Sequence, residues 1–241
     1  MLYIIGLGLN TEGMSAEGKE IIKTAKKIYL EGYTVDFPYT MGELDEIIQK
    51  KIHVLNREDV ESLQFIDEAR RGNIAFLVYG NPLTATTHIT IYDECIKSGI
   101  KCKIIQAASI LDAVGETGLQ IYKFGKIASM PKWNVKKHFT PDSFMEILKQ
   151  NRSIDAHSLI LADIGLDFQD ALKQLEISAK KHEFEIKELV VCQCLGSKHS
   201  KIFYESFEKF KEFTGIRLPY CIIIPGKMHF VESDFLNAYA R

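Results

Sequence analysis

The densest polar chemistry in this chain lies in one short segment, Gly80-Asn81-Pro82-Leu83-Thr84-Ala85-Thr86-Thr87-His88. It follows the apolar run Ile74-Ala75-Phe76-Leu77-Val78, whose length and bounding turn residues read as an interior strand. Gly-Asn-Pro stops that strand and exposes backbone amides and carbonyls at its carboxyl end, where small ligands bind in open α/β sheets. Pro82 restricts Asn81 to extended backbone, and the Asn81 side chain is expected to face outward from the sheet edge. The plainer reading is a surface turn in which Thr84, Thr86 and Thr87 cap the next helix.

Other segments have the same strand-end character. Leu2-Tyr3-Ile4-Ile5 runs into Gly6-Leu7-Gly8-Leu9-Asn10-Thr11, which invites a nicotinamide-dinucleotide reading, with Glu31 where a ribose-binding acid is expected. Position 11 is Thr, however, so the third glycine is missing, and the glycines serve equally as a tight strand exit. Ser109-Ile110 follows strand 103–105, and Ser109 is either a helix cap or a site residue. Asp163, after Leu161-Ala162, is either a cap or faces a cleft. Ile222-Ile223-Ile224-Pro225-Gly226-Lys227 ends in a further turn.

No nucleophile–base pair, Gly-x-Ser-x-Gly elbow, P-loop or paired-carboxylate signature occurs. A reaction whose substrate arrives already activated needs little acid–base help. Methyl transfer from S-adenosylmethionine is one, because the sulfonium is a good leaving group and correct positioning is worth ~7–11 kcal/mol. Backbone carbonyls at strand ends steady the polarised methyl through weak C–H···O contacts.

The elements that position these segments alternate. Strands are expected at 2–5, 28–30, 52–55, 74–78 and 103–105, and helices near 15–26, 41–49, 60–69 and 87–98. That order argues a mostly parallel sheet covered on both faces. Small residues crowd 107–125, and the domain junction is placed there, giving an N-terminal α/β domain at 1–110 and a smaller α/β domain at 111–241. The second half is expected to carry strands at 126–130, 158–164, 189–194 and 220–224, with helices near 141–151, 167–181 and 201–213. Glycine-rich edges on two compact halves predict a cleft between domains, a favoured place for ligands.

Composition narrows the function classes. The 241 residues carry 30 basic and 32 acidic side chains, so net charge gives no nucleic-acid signal. Lys126, Lys132, Lys136 and Lys137 are read as a solvated face. No stretch approaches the ~20 apolar residues of a membrane span, and the start does not read as a secretory signal. Five cysteines, with Cys192 and Cys194 two apart on one strand face, read as partly buried reduced thiols of a cytoplasmic protein. The seven histidines lack metal-binding spacing, so no metal is expected.

At this point the motifs resemble a known family. Tyr3 to Leu9, Leu55-Asn56-Arg57-Glu58-Asp59-Val60-Glu61, Gly80 to His88, Ala108-Ser109-Ile110 and Ile224-Pro225-Gly226-Lys227-Met228-His229 are similar to stretches of the diphthine synthases, members of the tetrapyrrole-methylase superfamily. The run Ala113-Val114-Gly115-Glu116-Thr117-Gly118-Leu119-Gln120-Ile121-Tyr122-Lys123-Phe124-Gly125 sets these enzymes apart within it. The resemblance implies a two-domain α/β tetrapyrrole-methylase fold, a homodimer, and S-adenosyl-L-methionine bound in the cleft between domains. It implies methylation of the amino group of a 3-amino-3-carboxypropyl-histidine on translation elongation factor 2, giving diphthine. It places cofactor contacts at Leu9, Asn81, Thr84, Ser109, Ile110, Ala162, Leu195 and Tyr220, and assigns no catalytic residue.

The sequence also departs from the family. Asp is usual where Asn81 stands; Asn keeps the shape but removes a charge, which implies slightly weaker cofactor binding. Tyr220 stands where His is common, Leu195 where a smaller residue is common, and the stretch from Asp163 to Leu189 is shorter than usual. The rival readings are a methyltransferase for a tetrapyrrole precursor and a non-catalytic descendant that binds the elongation factor.

Overall fold

The computed structural model describes residues 1–240 and divides into two units, Met1–Ala113 and a second beginning at Val114. In the first unit, strands β1 (Leu2–Gly6), β2 (Lys27–Glu31), β3 (Ile52–Leu55), β4 (Ile74–Val78) and β5 (Cys102–Ile105) form one sheet in the order β3-β2-β4-β1-β5. Every pairing is parallel. Parallel neighbours need crossovers, and helices Ala16–Thr24, Met41–Ile48 and Ile89–Lys97 supply them. Alternate residues feed two cores. Leu2, Ile4, Phe76 and Val78 pack on one face, and Ile5, Leu30, Ala75 and Leu77 on the other. This is why β4 is apolar at every position rather than at every second one.

Two helix starts are set by side chains the sequence displays. Ser15 accepts from the Gly18 amide, and Thr40 forms a reciprocal cap with Glu43. The helix expected over 60–69 breaks instead into Arg57–Glu61 and a 3-10 helix, Gln64–Arg70. Leu63 sits between them at φ +58°, and the Ser62 hydroxyl donates to the Asp59 carbonyl while accepting from the Gln64 amide. Local side-chain bonding of this kind competes with the helical ladder.

The second unit is no smaller than the first. Strands β6 (Ala128–Met130), β7 (Ser158–Ala162), β8 (Glu188–Gln193), β9 (Lys201–Ser206) and β10 (Tyr220–Ile224) form a sheet in the order β6-β7-β10-β8-β9. Only β6 and β7 pair parallel. Helices Phe144–Ser153 and Phe168–Lys181 cover one face through Phe144, Leu148, Leu172 and Leu175, packed on Ile160, Val191 and Ile222. The helix expected over 201–213 is instead β9 followed by the single turn Phe207–Phe210. Ile202, Phe203 and Tyr204 are strand formers that complete a hairpin on β8, and Ser206 caps the turn by accepting from the Lys209 amide. Cys194 lies beyond the end of β8 at φ +48°, so the neighbour of Cys192 is Cys221 across the ladder rather than Cys194. All five cysteines are free thiols.

One buried carboxylate knits the far edge of this unit. Glu232, with no exposed surface, accepts from the amides of Gln120 (2.9 Å) and His229 (2.7 Å), from His157 Nε2 (3.0 Å) and from the Lys123 ammonium. His157 Nδ1 in turn accepts from the Gly226 amide at 2.9 Å, so the ring is neutral with its proton on Nε2. Residues 120–125 and 224–229, both among the family-like runs, therefore meet at one charge. Burial alone would raise the Glu232 carboxyl, but the bonds from Lys123, the two amides and His157 outweigh it and hold it down at about 2. Burial lowers His157 by more than Glu232 raises it.

Both groups bind protons more weakly folded than unfolded, so both stabilise at higher pH. The loss should begin as pH falls below about 6.5 at His157, and continue from about 4.3 downward at Glu232. Glu232→Ala should cost about 3–5 kcal/mol at neutral pH, because it leaves Lys123 and two amides unpaired. It should also flatten the acid limb of the stability curve. Urea unfolding across that pH range checks both outcomes.

Candidate cofactor site

In the first unit the strand ends meet in the order β4, β1, β5, which brings Asn81 and Thr84, Leu9, and Ser109 with Ile110 to one edge of the sheet. The β1 and β4 exits are pinned together. The Gly8 amide donates to the Gly80 carbonyl at 3.2 Å, and the Gly80 amide donates back to Gly8 at 3.0 Å. Both residues have left-handed backbone, φ +70° and +68°, which glycine adopts without cost. A Cβ at Gly6 would stand 2.6 Å from the Gly80 carbonyl oxygen and 2.8 Å from Ala107 Cβ, so the three exits are packed too closely to admit a side chain there. A Cβ at Gly80 would meet only the Ala108 carbonyl oxygen, at 3.8 Å, so space opens above that residue.

Asn81 does not face outward. Its Nδ2 donates to Gln106 Oε1 and to the Ala107 carbonyl (3.0 Å), and its Oδ1 accepts from the Leu83 amide at 3.3 Å. The side chain is thus turned across the edge toward the β5 exit, because that exit offers two acceptors. The loop is closed beneath by Pro82, whose carbonyl accepts from the Thr86 hydroxyl (2.7 Å) and His88 Nδ1 (3.3 Å). Thr86 and His88 therefore fasten the loop and do not cap the following helix. Ser109 takes the capping role: it accepts from the Leu111 amide (3.1 Å) and donates its hydroxyl and amide to Asp112. Leu9 is buried, and its carbonyl accepts from the Tyr79 hydroxyl at 3.3 Å. Thr84 keeps a hydroxyl uncommitted to other protein groups.

Sequence reasoning did not assign His88 or the aromatic residues. His88 is 1% exposed, stacks edge-on to Phe76, and has a buried Nε2 without a partner. Burial lowers its imidazole by more than Glu31 and the Pro82 carbonyl raise it. Phe37, Tyr39 and Tyr79 form a ring cluster beside the β4 exit, with centroids 5.5–6.3 Å apart. Nothing in their spacing marks them, since Phe37 and Tyr79 are remote in sequence. Glu31 is not a ribose-facing acid: it is fully buried and accepts from the Tyr33 amide (3.0 Å) and the Thr34 hydroxyl (2.6 Å).

In the second unit Ala162 ends β7, Tyr220 starts β10 and Leu195 follows β8, so these three also share one sheet edge. Tyr220 turns inward. Its ring stands at 89° to Phe168 with centroids 5.5 Å apart, and its hydroxyl donates to the Leu166 carbonyl at 3.0 Å. Only backbone at this position is left to face a ligand. Leu195 is buried, and the preceding Cys194 amide donates to the Pro219 carbonyl at 2.8 Å. Asp163 neither caps a helix nor stands free. Its carboxylate accepts from the amides of Lys132 and Ile164, both at 2.9 Å.

The candidate residues thus present backbone, apolar surface and one free hydroxyl. None of the eight is cationic. That suits a ligand with a positive sulfonium and ammonium, and positioning rather than acid–base chemistry. Among the described residues no cluster of three potential metal ligands occurs. Gly6→Ala should lower stability by about 1–3 kcal/mol by forcing the three exits apart, read as a shift in the urea midpoint.

Comparison with known proteins bears on this geometry. The family model for Tetrapyrrole (Corrin/Porphyrin) Methylases matches residues 1–210. The chain is 39% identical to a diphthine synthase of Methanocaldococcus jannaschii, over 98% of each chain. It is 36% identical to one of Methanosphaera stadtmanae, over 100% of this chain and 96% of that one. A crystal structure of a diphthine synthase superposes with a TM-score of 0.89 at 30% identity, covering 99% of this chain and 95% of its own.

Proposed function

We infer the activity of this chain from the premise that it belongs to the diphthine synthases, within the tetrapyrrole methylases. It is a methyltransferase that uses S-adenosyl-L-methionine in the synthesis of diphthamide. The acceptor is the amino group of a 3-amino-3-carboxypropyl-histidine on translation elongation factor 2. The observation that carries this reading is full-length similarity to diphthine synthases, combined with a glycine-pinned strand edge whose candidate residues include no carboxylate, imidazole or amine. No observation favours a tetrapyrrole acceptor or a non-catalytic role.

The cofactor, when bound, supplies a methyl group already activated by its sulfonium. The chain's part is to bind and orient. The Gly8–Gly80 bridge fixes the floor of the first-unit edge, and the Thr84 hydroxyl and the backbone around Leu9, Ser109 and Ile110 line it. Asn81 acts through shape, holding the Pro82 loop against the β5 exit by two hydrogen bonds and bracing the loop itself by a third, from the Leu83 amide. In the second unit, Ala162, Leu195 and the Tyr220 backbone are the proposed contacts. The amine attacks in its neutral form, and its proton leaves to solvent, since none of the eight candidate side chains is a base. The protein works in the cytoplasm as a homodimer; its free thiols and the exposed apolar Tyr122, Phe230 and Val231 support those two readings.

Incubating the aminocarboxypropylated elongation factor with this protein and S-adenosylmethionine should add mass in methyl steps, mapped to the one histidine. A factor of unchanged mass would refute the assignment. Asn81→Ala should weaken cofactor binding by about tenfold or more, the equivalent of roughly 1.4 kcal/mol, because the loop loses its tie to Gln106 and Ala107. Calorimetry reads that change directly.

A further inference from the structure

At the carboxyl end of β8 the chain turns through Leu195-Gly196-Ser197 into Lys198 and His199, and β9 starts at Lys201. The segment before β10 lies alongside and carries Ile216 and Arg217. A cavity of about 370 Å3 sits between them. Gln193, 4% exposed, ties its walls together: Nε2 donates to the His199 carbonyl and Oε1 accepts from the Arg217 amide, both at 3.1 Å. The Arg217 guanidinium then donates to His199 Nδ1 at 3.1 Å, which leaves the His199 proton on Nε2. Lys198 and Lys201 line the same space, and among the described residues no Asp or Glu does.

This is a built arrangement rather than a scatter of surface charge. A buried amide spends both ends on holding an arginine and a histidine in place, and the charges it gathers are of one sign. The Lys201 and Arg217 charges repel across the shared space unless an anion lies between them, and a guanidinium fork matches a carboxylate in particular. The position is equally specific. Gln193 lies in register with Tyr220 on one side and Lys201 on the other, and Leu195 is two residues on, so the cavity adjoins two of the candidate cofactor contacts.

We propose that the cavity enclosed by His199, Lys201 and Arg217 binds the carboxylate of a reactant. The inference rests on the methyltransferase reading above, in which both reactants carry one: the aminocarboxypropyl group of the acceptor and the methionine portion of the cofactor. The two sources share one chemistry and are separated by experiment.

The test uses full-length protein with Arg217→Gln and Lys201→Gln together, and Arg217→Lys as the conservative variant; the Arg217 and Lys201 side chains are exposed, and thermal melts verify folding. Dissociation constants are measured by calorimetry for S-adenosylmethionine and its decarboxylated analogue, and by direct titration for the modified elongation factor. The double variant should bind one of the two reactants at least about tenfold more weakly, the loss expected for charge-assisted bonds, with Arg217→Lys intermediate. Weaker binding of the intact cofactor, with the decarboxylated analogue unaffected, assigns the cavity to the cofactor. Weaker binding of the elongation factor alone assigns it to the acceptor. Constants unchanged for both reactants overturn the proposal. Because these are binding measurements, they stand apart from turnover; a wild-type protein that binds both reactants but transfers no methyl would refute the function and not the cavity.

Discussion

The paired hydrogen bonds between Gly8 and Gly80 are the constraint on which the geometry of the first unit's candidate edge depends. A parallel sheet leaves its carboxyl ends as separate loops, each free to wander. Here two adjacent loops are locked by a two-bond bridge between two residues of left-handed backbone, and a third packs so closely that a Cβ at Gly6 would meet Ala107. Asn81 extends the lock sideways to Gln106 and Ala107, and His88 extends it downward to Pro82. The loop that the sequence marks as most polar is therefore a rigid part of the sheet edge. Rigidity of this kind is what a reaction limited by alignment requires.

The second unit reaches comparable order by other means. Its mixed sheet is closed at one edge by Glu232, where amides, an imidazole and an ammonium converge on a carboxylate that water does not reach. At the opposite edge Gln193 does similar work with a neutral amide, joining the β8–β9 hairpin to the segment before β10. The end of the family-like run 113–125 has a structural account here: Gln120 and Lys123 bond to Glu232, and the Gly125 amide donates to the His157 carbonyl.

The sheet of the first unit was legible because its strands are short, apolar on both faces and spaced by helical patterns, a signal that periodicity captures well. The strand-end loops were legible from Gly and Pro alone. Side-chain direction was not. Asn81 turns inward because two acceptors on a strand distant in sequence outcompete solvent, and Tyr220 buries its ring because Phe168 and the Leu166 carbonyl satisfy both of its ends. Nor was β9, since Ile202, Phe203 and Tyr204 favour a strand but its place in the sheet is set only by pairing with β8. His88 and Glu232 stayed hidden for the same reason: each draws its meaning from groups that the fold brings from elsewhere.

Hydrogen–deuterium exchange with and without S-adenosylmethionine tests the central claim most directly, that the ligand lies along the two strand edges bearing the candidate residues. The account predicts slowed exchange at Gly8–Leu9, Gly80–Thr84 and Ser109–Ile110 in the first unit, and around Ala162, Leu195 and Tyr220 in the second. Protection confined instead to the Glu232 edge, at residues 120–125 and 224–229, would contradict it.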